Sequence, residues 1–399
     1  MNKIKYKIDW TNRSILYTEK EIKSFSNKIN QFTPLTQGIY KNKFEKNFKN
    51  YLNSKNAYAL SNCSNAIDLS AMLIDIQDGD EVIVPSHTWC ATAISFAREG
   101  AKIVWADIEL DTFNISLESI KNNFTKNTKA IIVVHLYGLP SNIIEIKKFA
   151  KEKKLILIED CAQALGASIN KKKIGTFGDI SVFSFHSNKL ITTFGEGGMI
   201  VINNKKFDKN IHSLAHNGVS KFNNKNDYWK PAMTKIMKFK KGIFPYNFCL
   251  GEPQCFIGNM LIKRIDQLNN IRIDRAKVFI SKLKDFDEII FQKNNAGFKN
   301  VYHCLVAYFV GKQGRQKKDM FFKIMSENFK IKVIVQNYPL HRYDLFRHFK
   351  PTSSLINTNY FFSRMVSWPF YTYMSQKDFE YMILSTIKTL KMIRRYFDK

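Results

Sequence analysis

Cysteine, proline and acidic side chains are all scarce in this 399-residue chain, and each shortage narrows what it can be. The six cysteines (Cys63, Cys90, Cys161, Cys249, Cys255 and Cys304) include no CxxC pair and no Cys/His cluster at metal-ligand spacing. That pattern predicts reduced thiols in a cytoplasmic protein and no metal site. Nine prolines and 17 glycines are too few for a collagenous or low-complexity chain. No apolar run approaches the ~20 residues that cross a bilayer. The polar stretch Met1–Arg13 lacks the apolar core of a signal peptide. The expectation is a globular protein without a membrane span. Asp and Glu number 34 against 62 Lys and Arg, a net charge of +28. Nucleic-acid and anionic-membrane binders carry such charge. Here the lysines are scattered, in short stretches such as Lys171–Lys173, Lys317–Lys318 and residues 238–241. They form no stripe interleaved with aromatics and no recognisable module. The expectation is a solvated basic surface that favours small anions, with no nucleic-acid partner.

What the chain does have is ordinary globular composition, 45% hydrophobic and 24% charged. Its length suits two or three domains and a large core without staples. The first 50 residues predict a helix and an extended arm around Pro34 and Gly38. From Ala57 helices and strands alternate. Helical spacing marks Asn65–Ile76, Thr92–Arg98, Leu117–Phe124 and Asn142–Lys153, and short apolar runs mark Glu81–Pro85, Lys102–Ile108, Ala130–Leu136 and Leu155–Glu159. Apolar strands between helices are the signature of a mostly parallel sheet sandwiched by helices. Strands are also expected at Ile180–Ser184 and Met199–Ile202, flanking Gly195-Glu196-Gly197-Gly198. One long helix is expected over Gln254–Leu283, then strands at Val301–Val310 and Lys332–Gln336 and helices at Lys318–Asn328 and Gln376–Arg395. The fold class is α/β, a large domain over residues 1–250 and a smaller α+β domain over 251–399.

Open parallel sheets bind ligands beyond the carboxyl ends of their strands, so those ends are the places to inspect. Ser61-Asn62-Cys63-Ser64-Asn65 precedes a helix, where free N–H groups suit a phosphate or simply an N-cap. Trp89, after the strand ending at Pro85, suits stacking on a planar ring or core filling. Asp160 follows an apolar strand. It suits pairing with a protonated heteroaromatic nitrogen, or capping a helix. Lys189, in Ser184-Phe185-His186-Ser187-Asn188-Lys189, is either a solvated turn lysine or, if desolvated near another cation, a nucleophile able to form a Schiff base. Pro245-Tyr246-Asn247-Phe248 alone reads only as a loop. In order along one α/β chain, these make a phosphate cup, a stacking aromatic, a ring-nitrogen carboxylate and a Schiff-base lysine. Together they are what a pyridoxal phosphate site needs.

The chain also resembles the DegT/StrS family of sugar aminotransferases, pyridoxal-phosphate enzymes of the aspartate-aminotransferase fold type (fold type I). The resemblance runs from Leu35-Thr36-Gln37-Gly38 to Leu340-His341. It is strongest at Asp78-Gly79-Asp80-Glu81-Val82-Ile83-Val84-Pro85, Val134-His135-Leu136-Tyr137-Gly138, Glu159-Asp160-Cys161-Ala162-Gln163-Ala164 and Phe183-Ser184-Phe185-His186-Ser187-Asn188-Lys189. The resemblance implies that Lys189 bonds the cofactor and that Asp160 keeps its ring nitrogen protonated. It places Gln163 on the ring's oxygen side and Trp89 on its face. It implies that Cys63, Ser64, the Asn65 backbone and Ser184 form the phosphate cup. It implies that Asn247 reaches the phosphate of a second subunit, hence a homodimer with shared sites. It also implies substrate contacts from His186, Tyr338 and His341, the last two with a structural turn around Pro339 as the other reading. His135 and His303 are expected in the core or behind the site rather than as ligands.

Cys63 stands where the family usually has glycine, Phe194 lengthens the turn before Gly195, and Cys249 replaces a frequent arginine. A related dehydratase branch has histidine in place of the lysine, so Lys189 favours amino transfer. The implied function moves an amino group from an amino acid, L-glutamate being expected, to a nucleotide-linked 4-keto-6-deoxyhexose for surface-polysaccharide synthesis. The alternatives are a keto sugar without a nucleotide, such as an 8-oxo octulosonic acid, and a non-catalytic member of the fold that binds a ligand or nucleic acid.

Overall fold

The computed structural model describes residues 4–219 and 244–397; the basic stretch at 238–241 lies outside them. Among the described residues, thirteen strands form three sheets. The central sheet contains β1 (Asn56–Leu60), β2 (Glu81–Pro85), β3 (Lys102–Ala106), β4 (Thr128–Val134) and β5 (Ile156–Asp160). After the short hairpin β6 (Ser168–Ile169) and β7 (Lys172–Lys173), it is completed by β8 (Ile180–Ser184) and β9 (Gly198–Ile202). The order is β1-β9-β8-β5-β4-β2-β3. Pairs β2–β3, β2–β4, β4–β5 and β5–β8 are parallel, while β9 is antiparallel to both β8 and β1. Six strands therefore share one direction, and their carboxyl ends share one edge.

The strands are apolar because both faces are covered. Ile131, Val133, Leu157, Phe183 and Val201 enter one core with the helices Ile39–Leu52 and Glu252–Leu261. Val82, Val84, Ile132, Ile158 and Val182 enter a second core with the helices Cys63–Leu73 and Ala91–Arg98. Residues on alternate sides of each strand feed opposite cores. A third core surrounds the small sheet β10 (Ile289–Phe291), β12 (Leu305–Phe309) and β13 (Met365–Trp368), packed by the helices Gly314–Glu327 and Gln376–Phe397. The remaining short strand, β11 (Phe298–Lys299), pairs with β6 and so ties the C-terminal half to the large domain.

Three sequence expectations are corrected. The helix expected over Gln254–Leu283 is two helices, Glu252–Leu261 and Ile265–Lys282, joined by the tighter turn Ile262–Arg264. Residues three apart eclipse in such a turn, which lets Ile262 and Ile265 both enter the first core. The strand expected from Val301 starts only at Leu305, because Tyr302 is left-handed (φ 47°) where the chain crosses Gly138. A Cβ on Gly138 would lie 2.8 Å from the Tyr302 and His303 nitrogens. Lys332–Gln336 is no strand either, its pairing reduced to single bridges such as Ile334 with Ser367.

Candidate active site

A cavity of about 560 Å³ opens at the carboxyl edge of the central sheet. Its lining includes Cys63, Ser64, Trp89, Asp160, Gln163, Ser184, His186 and Lys189, so eight of the sequence candidates meet in one place. A larger groove, about 1300 Å³, lies at the opposite edge, where β5 begins and the loops before β1 and β8 pass. The two are separated by the length of the strands.

Each wall follows from local structure. Asp160 is the last residue of β5 and is 5% exposed. Its carboxylate accepts hydrogen bonds from the Thr92 hydroxyl (2.9 Å) and the Ala162 N–H (3.1 Å). Burial pushes its pKa above the usual carboxylate range, against the pull of those bonds and of the nearby Lys189 charge. Asn62 caps the helix Cys63–Leu73, accepting from the Asn65 N–H at 2.8 Å. The intrahelical ladder starts with the Ala66 N–H on the Asn62 carbonyl. The earlier N–H groups of Cys63 and Ser64 thus stand at the positive end of the helix dipole. β9 runs directly behind this turn. A Cβ on Gly198 would sit 2.4 Å from the Asn62 carbonyl.

Lys189 sits in the loop after β8, its N–H bonded to the His186 carbonyl at 2.9 Å. The Ser184 hydroxyl accepts from the His186 N–H (3.3 Å), and the Gln163 amide oxygen accepts from the Tyr137 N–H (2.7 Å). Trp89 is 64% exposed at the cavity rim.

Four candidates lie elsewhere. Asn65 does not line the cavity, its N–H being used by the Asn62 cap and its side-chain amide by Ser61. Asn247 is exposed and outside the cavity of its own chain, bridged to His216. Tyr338 packs edge-on against Tyr343 and Phe362. His341 Nδ1 is hydrogen-bonded to the Ser86 hydroxyl at 2.6 Å, stapling its loop to the end of β2. The neighbour of Tyr338, Asn337, takes the cavity position instead.

The structure also adds residues. Thr92, His303, Gln336, Asn337 and, from the N-terminus, Trp10 and Ser14 line the cavity. Thr92 had a legible signal, since it lies in the first turn of a helix after a strand end. His303 had none, because only the turn at Tyr302 brings it there. Burial holds His303 well below its ordinary pKa, with the charges of Lys189 and Arg272 adding to the effect. His135 lies behind Asp160; its Nε2–H donates to the Glu159 carboxylate (3.1 Å) and its Nδ1 accepts from the Ser141 N–H (3.0 Å). His135, Glu159 and Cys161 bring donor atoms within 4.8 Å, a spacing open to a metal. Glu159, however, already receives the N–H groups of Gly175, Phe177 and Gly178 and the Ser181 hydroxyl, which leaves its lone pairs filled.

A model of the DegT/DnrJ/EryC1/StrS aminotransferase family matches residues 17–386. The chain belongs to this family. It is 31% identical to the GDP-perosamine synthase of Vibrio cholerae over 337 residues, 84% of this chain and 87% of that one. It is 32% identical over 267 residues to the dTDP-3-amino-3,6-dideoxy-alpha-D-galactopyranose transaminase of Aneurinibacillus thermoaerophilus, covering 67% and 69%. Among solved structures, Helicobacter pylori PseC, an aminotransferase of pseudoaminic acid biosynthesis, superposes with a TM-score of 0.87 at 23% identity, covering 96% and 100%. That likeness fixes the fold. The DegT/StrS member described here is thus a sugar aminotransferase, and its cofactor is pyridoxal 5′-phosphate.

The cavity fits that cofactor. Among the described residues Asp160 has only neutral hydrogen-bond donors and no ion pair, which leaves its buried charge short of a cation. A protonated ring nitrogen supplies one. The helix N-terminus at Cys63 and Ser64 offers anion-binding N–H groups, and Lys189 opens into the same space. No helix among the described residues is long and apolar enough to cross a membrane.

Proposed function

We propose that this DegT/StrS enzyme transfers an amino group from L-glutamate to a nucleotide-linked 4-keto-6-deoxyhexose. The observation that carries the reading is the meeting of Lys189, Asp160 and Ser64 in one cavity at the carboxyl edge. The substrate class is supported by relatives whose names specify GDP-, dTDP- and UDP-linked sugars. When bound, pyridoxal 5′-phosphate supplies the electron sink that lets an amino acid lose its Cα proton. With the cofactor bound, Lys189 would be the residue that holds it covalently. Its Nζ, when free, would take the proton from the donor's Cα as base and give it back as acid. Asp160 would keep a proton on the ring nitrogen. The N–H groups of Cys63 and Ser64, with the hydroxyls of Ser64 and Ser184, would hold the phosphate, and Trp89 and Gln163 would contact the ring. The keto sugar then enters and the same residues run the steps in reverse.

The working unit is a homodimer. Asn247 is exposed and absent from its own cavity, and Trp89 stands open at the rim, as expected if a second subunit completes each site. The setting is cytoplasmic supply of amino sugars for surface polysaccharide. The test is the visible absorbance of the purified protein before and after L-glutamate. The expected result is a yellow band that fades with glutamate, returns with the keto sugar and is missing in Lys189→Ala. No band after adding pyridoxal phosphate would refute the reading.

A further inference from the structure

The family match starts at residue 17, yet Trp10, Thr11 and Ser14 line the cavity. The chain before the match is therefore part of the site's wall, and the way it is held explains how. Ile8 is 1% exposed and belongs to the C-terminal core. It pairs in parallel with Ile331, its N–H on the Lys330 carbonyl and its carbonyl taking the Lys332 N–H. Ile15 is fully buried in the first core of the large domain. Residues 8–15 thus cross from one core to the other over the cavity, anchored by an isoleucine at each end.

The middle of the crossing is tied to both sides. The Ser14 hydroxyl donates to the Lys189 carbonyl, and the Ser14 N–H donates to the Ser187 carbonyl at 3.1 Å. From the other side, the Thr372 N–H and hydroxyl both donate to the Ser14 carbonyl, at 3.2 and 3.0 Å. Tyr373 adds its hydroxyl to Thr11 and to the Arg13 carbonyl. Just beyond, Tyr17 packs edge-on against Phe194 (5.3 Å), the residue that lengthens the turn after Lys189 and holds φ 61°.

We propose that residues 8–15 are a specificity strap, with Trp10 the wall that meets the acceptor sugar and Ser14 the positioning residue that fixes the strap to the Lys189 loop. This rests on the transaminase reading of the site. One cavity must take two substrates in turn. The donor amino acid is small and needs only the floor around Lys189. The nucleotide-linked sugar is large, and it fills the space between floor and strap. An indole face packs well against the C–H face of a pyranose, since it combines a broad apolar surface with little conformational entropy to lose.

The test separates the two half-reactions. The donor half is read as the loss of cofactor absorbance with L-glutamate in a single turnover, the acceptor half as KM for a nucleotide-linked 4-keto-6-deoxyhexose. Trp10→Ala is expected to raise the acceptor KM about tenfold and leave the donor half within twofold, with Trp10→Phe recovering most of the loss. Ser14→Ala is expected to slow both halves by about three- to tenfold, because the lysine loop loses its tie. Unchanged acceptor KM in Trp10→Ala, or equal losses in both halves, overturns the role of Trp10. Unchanged rates in Ser14→Ala overturn the positioning role. Absence of a donor half-reaction in the unaltered chain would instead overturn the reading of the site itself, and the strap with it.

Discussion

The central sheet has two edges built from the same strands, and they hold opposite kinds of chemistry. At the amino edge the groove of about 1300 Å³ is lined by nine lysines, among them Lys147, Lys151, Lys172 and Lys206, with Asp179 as its one acidic residue. Asp179 is spent on the Leu157 N–H and the Asn204 amide. At the carboxyl edge the cavity is less than half that volume. It mixes one lysine, one buried carboxylate, a helix N-terminus and a buried histidine. Size and net charge single out the first edge, and complementary groups at short range single out the second. Chemistry needs the second kind, because a nucleophile, a ring-nitrogen partner and an anion cradle must reach one ligand together.

The sharpest way to break this comparison is Lys189→Ala. It is expected to lower turnover by at least ~1000-fold and to abolish covalent cofactor attachment, read from the absorbance band. If instead a lysine of the amino edge were needed for the band, the assignment of edges would be reversed.

Glu159→Gln tests what holds the carboxyl edge in place. The Glu159 carboxylate is fully buried. Burial alone would raise its pKa, but the hydrogen bonds from His135, Gly178 and Gly175 outweigh that and hold it below the usual range. Its folded pKa is below the unfolded one, so its stabilisation is complete at neutral pH and fades as pH falls through the folded value. Replacing the carboxylate should cost about 3 kcal/mol in denaturant unfolding at pH 7. The loss relative to the parent should shrink below the ordinary glutamate pKa of ~4.3. A loss that stayed constant down to pH ~3 would show that the carboxylate's charge is not what matters.

Asp160→Asn keeps the shape of the floor and removes its charge. Turnover should fall by about 100-fold with the cofactor still attached to Lys189. Gly198→Ala pushes a methyl group into the Asn62 carbonyl behind the phosphate cup. It should weaken cofactor affinity by about tenfold, measured by titrating pyridoxal phosphate into the apoprotein, for an overpacking strain of ~1–3 kcal/mol. If affinity were unchanged, the helix N-terminus would not be the phosphate's seat.

How legible these edges were depends on how locally each was encoded. Strands β2 and β8 have the bounds read from sequence, because each is an apolar run closed by a turn. Asp160 and Lys189 were legible for the same reason: both sit at or just after a strand end. Residues brought by long-range turns were not. His303 reaches the cavity through the left-handed Tyr302 beneath Gly138, more than a hundred residues of chain away from Lys189. Trp10 and Ser14 lie in a polar stretch with no periodicity, and Ser14 finds its partners, Lys189 and Thr372, far away in the chain. At Tyr338 the right loop was identified, but the left-handed turn at Asn337 (φ 48°) gives the cavity to its neighbour. The break between the helices Glu252–Leu261 and Ile265–Lys282 carries no proline or glycine at its turn, so composition offered no mark for it.

The smallest expected effect belongs to the amino edge, and it is the one that tests whether the net charge of +28 helps the reaction at all. A nucleotide-linked sugar is anionic, so a basic protein should draw it in. The question is range. β5 spans Ile156 to Asp160, a rise of about 13 Å at ~3.3 Å per residue. That exceeds the Debye length of ~8 Å at physiological ionic strength. Charges at the amino edge are therefore mostly screened from a ligand at the carboxyl edge. Changing Lys151 and Lys172 together to glutamine should lower kcat/KM by less than twofold at 0.15 M salt, with the difference growing as salt is reduced. A tenfold loss that persisted at high salt would mean that the groove touches the substrate or its partner directly, and the contrast between the edges would have to be redrawn.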